Sequence, residues 1–79
     1  MKLKEIQHKK DYEFLITFSN EEKIKVDLKE LISSYVKPQE AITAHINQEW
    51  GCLEFNNGTV DIEPKTLYNY VKNQSHKIH

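Results

Sequence analysis

Residues 50–68 constrain the fold more than any other stretch of this chain. Trp50-Gly51-Cys52-Leu53-Glu54-Phe55 is a short apolar run, Asn56-Asn57-Gly58 a turn, and Thr59-Val60-Asp61-Ile62 a second run. Asn57-Gly58 is a strong hairpin signal, because a type I′ turn needs positive φ at both central positions. Leu53 and Phe55 before the turn, and Val60 and Ile62 after it, keep the period of two that places one strand face inward. Glu63-Pro64 then predicts a helix start, since proline at the first helical position gives up an N–H that has no partner there anyway. Leu67 and Val71 share one face of that helix. A hairpin feeding directly into a helix excludes an all-helical or all-strand domain.

The N-terminal half alternates in the same way. Tyr12, Phe14, Ile16 and Phe18 recur at period two, with Glu13, Leu15 and Thr17 on the opposite face. Before them, Lys2–His8 suits an edge strand with Leu3 and Ile6 apolar, followed by a turn at Lys9-Lys10-Asp11. After them, Ser19–Glu22 makes a hairpin turn into Lys23–Asp27, whose Ile24 and Val26 point inward. Leu28, Leu31 and Ile32 stand at i, i+3 and i+4 and predict a short amphipathic helix, with Asp27 accepting its first free N–H groups. Lys37-Pro38 ends this segment, because the residue before proline disfavours helix. Tyr35–Ala41 shows no period, and Ala44–Asn47 reads as a brief strand. The expectation is one α+β domain over residues 1–72, ordered β-β-β-α-β-β-β-α, with a frayed tail over 73–79. Its core should combine Tyr12, Phe14, Ile16 and Phe18 with Ile24, Val26, Leu31 and Leu67.

At 79 residues a chain buries only about 60–65% of its unfolded surface, so its stability margin is thin. Cys52 is the only cysteine, which rules out an internal disulfide and fits a reduced compartment. Met1–Glu5 lacks the apolar core of a secretion signal, and no apolar run approaches the roughly 18 residues that span a bilayer. A cytoplasmic protein without membrane contact is expected. Residues 11–63 carry eleven acids against four lysines, and there is no arginine anywhere. Arginine supplies the planar fork that reads guanine edges and phosphates, so its absence argues against a sequence-reading nucleic-acid binder.

Chemically the chain is quiet. His76 and His79 stand at i, i+3 near the chain end, and His8 and His45 are isolated, whereas zinc needs three or four ligands held rigidly. No metal, cofactor or catalytic residue is expected. Cys52 reads as a small buried hydrophobe rather than a nucleophile. Asp61 could orient a ligand, but its place ahead of Pro64 favours a role at the helix start, where negative charge is stabilised by about 0.3–1 kcal/mol. Gly51 and Gly58 are used by turns, so no glycine-rich phosphate loop exists. Trp50 and Tyr68 fit either interface anchors or lids over the core, and Tyr35 is expected to be exposed.

The two motifs together resemble a prokaryotic family known as domain of unknown function 2442. The likeness lies in Tyr12–Phe18, Lys25-Val26-Asp27-Leu28 and above all Gly51–Tyr68, and covers Leu3 to about Tyr70. Family members usually carry Trp where this chain has Phe55, and often Ala at Val60; residues 33–48 match only loosely. The resemblance implies two small sheets packed with helices and establishes no catalytic residue. It also implies that some relatives precede a helix-turn-helix DNA-binding domain and that others sit beside small toxin-like proteins as antitoxins. The expected function is therefore a non-catalytic protein-interaction module, antitoxin-like, with Trp50, Tyr68 and Tyr35 as interface residues. Its partner would be a second copy or a small protein encoded nearby. The alternative is a regulatory, dimerisation or small-ligand-binding domain of the kind found beside helix-turn-helix domains.

Overall fold

The computed structural model describes residues 1–76, with side chains through Gln74. Strands β1 (Leu3–Lys10), β2 (Glu13–Phe18) and β3 (Lys23–Asp27) form one antiparallel sheet in the order β1-β2-β3. A short helix α1 (Lys29–Ile32) and a 3-10 helix (Pro38–Thr43) connect it to a second antiparallel sheet. That sheet comprises β4 (His45–Ile46), β5 (Leu53–Phe55) and β6 (Val60–Ile62), in the order β4-β5-β6. Helix α2 (Pro64–His76) follows at once. The expected α+β order is therefore observed, with the 3-10 helix added. Where a frayed tail from residue 73 was expected, helix runs on to His76; residues 77–79 lie outside the described residues.

Tyr12, Phe14, Ile16 and Phe18 are buried as their period demands. Leu3 and Ile6 stand an odd number of residues apart, yet both face the core side of β2, paired with Phe18 and Ile16. A bulge between Leu3 and Glu5 inserts one residue into β1 and flips its parity. Of the other expected core positions, Val26 and Leu67 are buried, while Ile24 and Leu31 are only half-buried. With a single turn of helix in α1, Leu28 and Ile32 take the core positions and Leu31 is left on the shoulder. Thr17, expected on the solvent side, is 5% exposed because its cross-strand neighbours Glu5 and Lys23 flank it.

The two sheets share one core. Phe14 of β2 meets Phe55 of β5 edge to face, ring centroids 6.0 Å apart, and Phe18 meets Tyr68 of α2 at 5.0 Å. Such pairs add about 0.5–1.5 kcal/mol to the burial of each ring. Phe55 is fully buried. The segment without sequence period is anchored by polar bonds. Tyr12 donates its hydroxyl to the Val36 carbonyl, and the Glu40 carboxylate accepts the Lys37 N–H at 2.8 Å. Ala41 is the residue of the 3-10 helix that reaches the core.

Asp27 accepts the Lys29 N–H at 2.8 Å, as expected for the start of α1, although Leu28 occupies the cap position itself. The loop around Asn57-Gly58 runs from Asn56 to Thr59, four residues rather than the two of a type I′ turn. Asn56, Asn57 and Gly58 all have positive φ, and the Gly58 and Thr59 amides close successive turns on Phe55 and Asn56. Asparagine and glycine are the residues that tolerate such a left-handed run. Gly51 is needed twice over. Its φ is +72°, and a Cβ there would lie 2.5 Å from Cβ of Lys2, since the Gly51 carbonyl accepts the Leu3 amide and ties the second sheet to the start of β1.

Candidate functional site

The polar surface of interest is built on the second sheet. Leu53 and Phe55 face the core, so period two sends Glu54 to the outer face, where cross-strand pairing aligns His45, Glu54 and Asp61 in one row. His45 Nε2 lies 2.9 Å from one Glu54 oxygen, and Asn47 Nδ2 donates to the other at 3.0 Å. The Asn47 side-chain oxygen accepts the amides of Glu49 and Trp50, each at 2.9 Å, which folds the β4–β5 loop and presents Trp50. Trp50 is 68% exposed.

Asp61 corrects the sequence reading. Among the described residues its carboxylate accepts no backbone N–H of α2 and joins no ion pair. It lies instead directly across from Glu54, an arrangement of like charges that destabilises a strand pair. Donor atoms of Cys52, Glu54 and Asp61 lie within 4.8 Å of one another, a grouping the sequence analysis missed. The available signal was the i, i+2 spacing of Cys52 and Glu54 opposite a hairpin partner. A thiol and two carboxylates are donor types that zinc accepts. Here both Glu54 oxygens already accept hydrogen bonds, and burial, then Glu54 and Asp61, push the Cys52 thiol up. A thiol held protonated is a poor nucleophile and a poor ligand. What the row offers is negative charge that, among the described residues, forms no ion pair with a lysine.

Two hollows meet at this row. One, of about 470 Å³, lies among Trp50, Cys52, Glu54, Asp61, Glu63 and Pro64. The other, of about 450 Å³, runs between the β6 edge and α1, with Val60 and Ile62 on one wall and Leu31, Ile32 and Tyr35 on the other. Asp61 and Glu63 belong to both and form an acidic ridge between them. Tyr35, expected to be exposed, is 70% exposed.

The two readings of the aromatic residues separate. Trp50 stands out in solvent, whereas Tyr68 is a lid over the core. Its ring packs on Phe18, and its hydroxyl donates to Glu22 at 2.6 Å. Lys72 and Asn20 also reach Glu22, at 2.9 and 2.7 Å, and with the Tyr68 bond foremost they hold its carboxyl down to about 2. Tyr68 thus fastens the β2–β3 turn to α2 and is not free to anchor a partner.

The histidines lie apart. His8 packs on Phe14 with ring centroids 5.1 Å apart and meets the Asp11 carbonyl. His45 belongs to the outer row, His76 closes α2, and His79 is outside the described residues. No helix among the described residues is long and apolar enough to cross a membrane.

Compared with known proteins, the chain matches across residues 3–73 the family described as protein of unknown function (DUF2442), and it belongs to that family. No curated protein and no solved structure matches it.

Proposed function

We propose that this DUF2442 member is a non-catalytic protein-interaction module whose partner is a small basic protein encoded nearby, an antitoxin-like role in the cytoplasm. The observation that carries the reading is the acidic ridge of Asp61 and Glu63, which has no paired cation among the described residues and is flanked by exposed Trp50 on one side and Tyr35 on the other. Large exposed aromatics beside fixed charge are the usual composition of interface hot spots. The rest of the polar inventory favours binding over chemistry: the thiol is buried and held protonated, and Glu54 is committed to His45 and Asn47. A second copy of the chain is the other candidate partner, and the ridge disfavours it, because a two-fold contact there would set acids against acids.

The test is co-expression with the neighbouring open reading frame, followed by size-exclusion chromatography with light scattering. A complex that weakens as salt rises and is lost in Trp50→Ala and Tyr35→Ala supports the proposal. Both variants should fold normally, since both side chains are largely exposed. A monomer at high concentration that captures no neighbour overturns it.

A further inference from the structure

Each edge strand of a small sheet presents unpaired N–H and C=O groups, and proteins blunt such edges with lysines, bulges or short length. Three of the four edges here are blunted in that way. β1 has register shifts between Leu3 and Glu5 and between His8 and Lys10, which leave Lys4 and Lys9 as the extra residues. β3 carries Lys23 and Lys25, and β4 is two residues long. β6 is different. Val60-Asp61-Ile62 is itself only three residues long, but it contains no lysine, proline or bulge, and among the described residues it pairs with β5 alone. Its free edge opens onto the groove of about 450 Å³ whose opposite wall is Leu31, Ile32 and Tyr35 of the α1 segment. A slot between an edge strand and a helical wall is the shape that receives an added strand.

Resting on the interaction reading above, we infer that β6 accepts an extended segment of the partner as a fourth strand, and that this segment alternates apolar residues with Lys or Arg. The alternation follows from the two faces of β6. Val60 and Ile62 lean toward the core, beside the apolar wall, so every second residue of an added strand faces Leu31, Ile32 and Tyr35. The residues between them extend the outer row, next to Asp61 and Glu54, where a cation relieves the like-charge pair. Among the described residues no lysine lines either hollow, so a cationic segment meets no paired cation at Asp61 and Glu63, whereas Glu54 is already held by His45 and Asn47. A second copy pairing through β6 would set Asp61 and Glu63 against the same acids and is disfavoured by charge.

The experiment uses fluorescein-labelled peptides and the full chain. The probes are a short peptide of alternating Lys and Val, the same residues sorted into two blocks, the alternating peptide with every second backbone amide N-methylated, and an alternating Glu–Val peptide. The alternating Lys–Val peptide should bind at low salt and slow hydrogen exchange at the amides of residues 59–63. Sorting into blocks or N-methylation should weaken binding by roughly tenfold or more, because each removes the main-chain ladder or its register while keeping the charge. Asp61→Lys, an exposed site whose folding is checked by circular dichroism, should reverse the preference toward the Glu–Val peptide. Equal binding of the N-methylated and unmodified peptides would overturn strand addition and leave charge attraction alone. So would exchange protection of residues 59–63 by self-association without peptide, which would give the edge to a second copy. If no peptide binds while the neighbouring protein is still captured through Trp50, this inference fails and the interaction module stands. If the Lys–Val peptide binds and no neighbour is captured, the strand site stands and the neighbour is not the partner.

Discussion

Replacing Asp61 with Asn separates two accounts of this residue by the sign of the effect. If Asp61 served the start of α2, Asn would still cap it, but losing the charge from the positive end of the helix dipole would cost about 0.3–1 kcal/mol. The structure instead sets its carboxylate across from that of Glu54, the donor oxygens within 4.8 Å. At that separation two unit charges repel by roughly 0.9 kcal/mol in water, and physiological salt screens this to about 0.5 kcal/mol. The helix dipole works in the opposite direction, but its influence fades beyond the first turn, and no N–H of α2 reaches Asp61 among the described residues. Asp61→Asn should therefore stabilise the domain by about 0.5 kcal/mol. For a domain of this size that raises Tm by about 2–4 °C. Far-UV circular dichroism is the suitable signal, because Trp50 is already 68% exposed and its fluorescence changes little on unfolding. The gain should shrink as salt is added. A variant less stable by about 0.3–1 kcal/mol at low salt would refute the reasoning and return Asp61 to the start of the helix.

Gly51→Ala should destabilise by more than about 2 kcal/mol in urea unfolding, since positive φ alone costs about 1–2 kcal/mol and the new Cβ would collide with the Lys2 stem. Gly58→Ala should cost only about 1 kcal/mol, because its nearest neighbour, the Glu54 carboxylate, is 3.6 Å away. Glu22, lowered from 4.5 to about 2 by Tyr68, Lys72 and Asn20, contributes stability that is complete above pH 4.5 and is lost as pH falls toward 2. The difference in urea midpoint between the parent and Glu22→Gln should accordingly narrow across that window; a constant difference would refute the network. Cys52, whose thiol is pushed up by burial and by Glu54 and Asp61, should react with a disulfide reagent at mildly alkaline pH roughly tenfold or more slowly than in the unfolded chain. Equal rates would show that the segment just ahead of β5 opens freely.

The order of elements was legible in the residues themselves because both hairpins and both helix starts rest on local physics. Period-two alternation from Tyr12 to Phe18, an Asn-Gly turn and a proline at a helix start each act within a few residues. The 3-10 helix at Pro38–Thr43 was not legible, since its anchors are a single buried alanine and a bond from Lys37 to Glu40 that no period betrays. The bulge that turns Leu3 and Ile6 to the same face was equally hidden, because only pairing with β2 sets the parity. Trp50 and Tyr68 were indistinguishable in sequence, and packing against Phe18 together with a bond to Glu22 made one a lid while the β4–β5 loop left the other in solvent. Asp61 looked like a cap because it precedes Pro64. Strand pairing placed it opposite Glu54, across a turn of four residues from Asn56 to Thr59, and so made an acidic pair that neither residue announces alone. Local chemistry fixes which segments become strand or helix; contacts between segments far apart in the chain decide which faces are covered, and with them where a partner can bind.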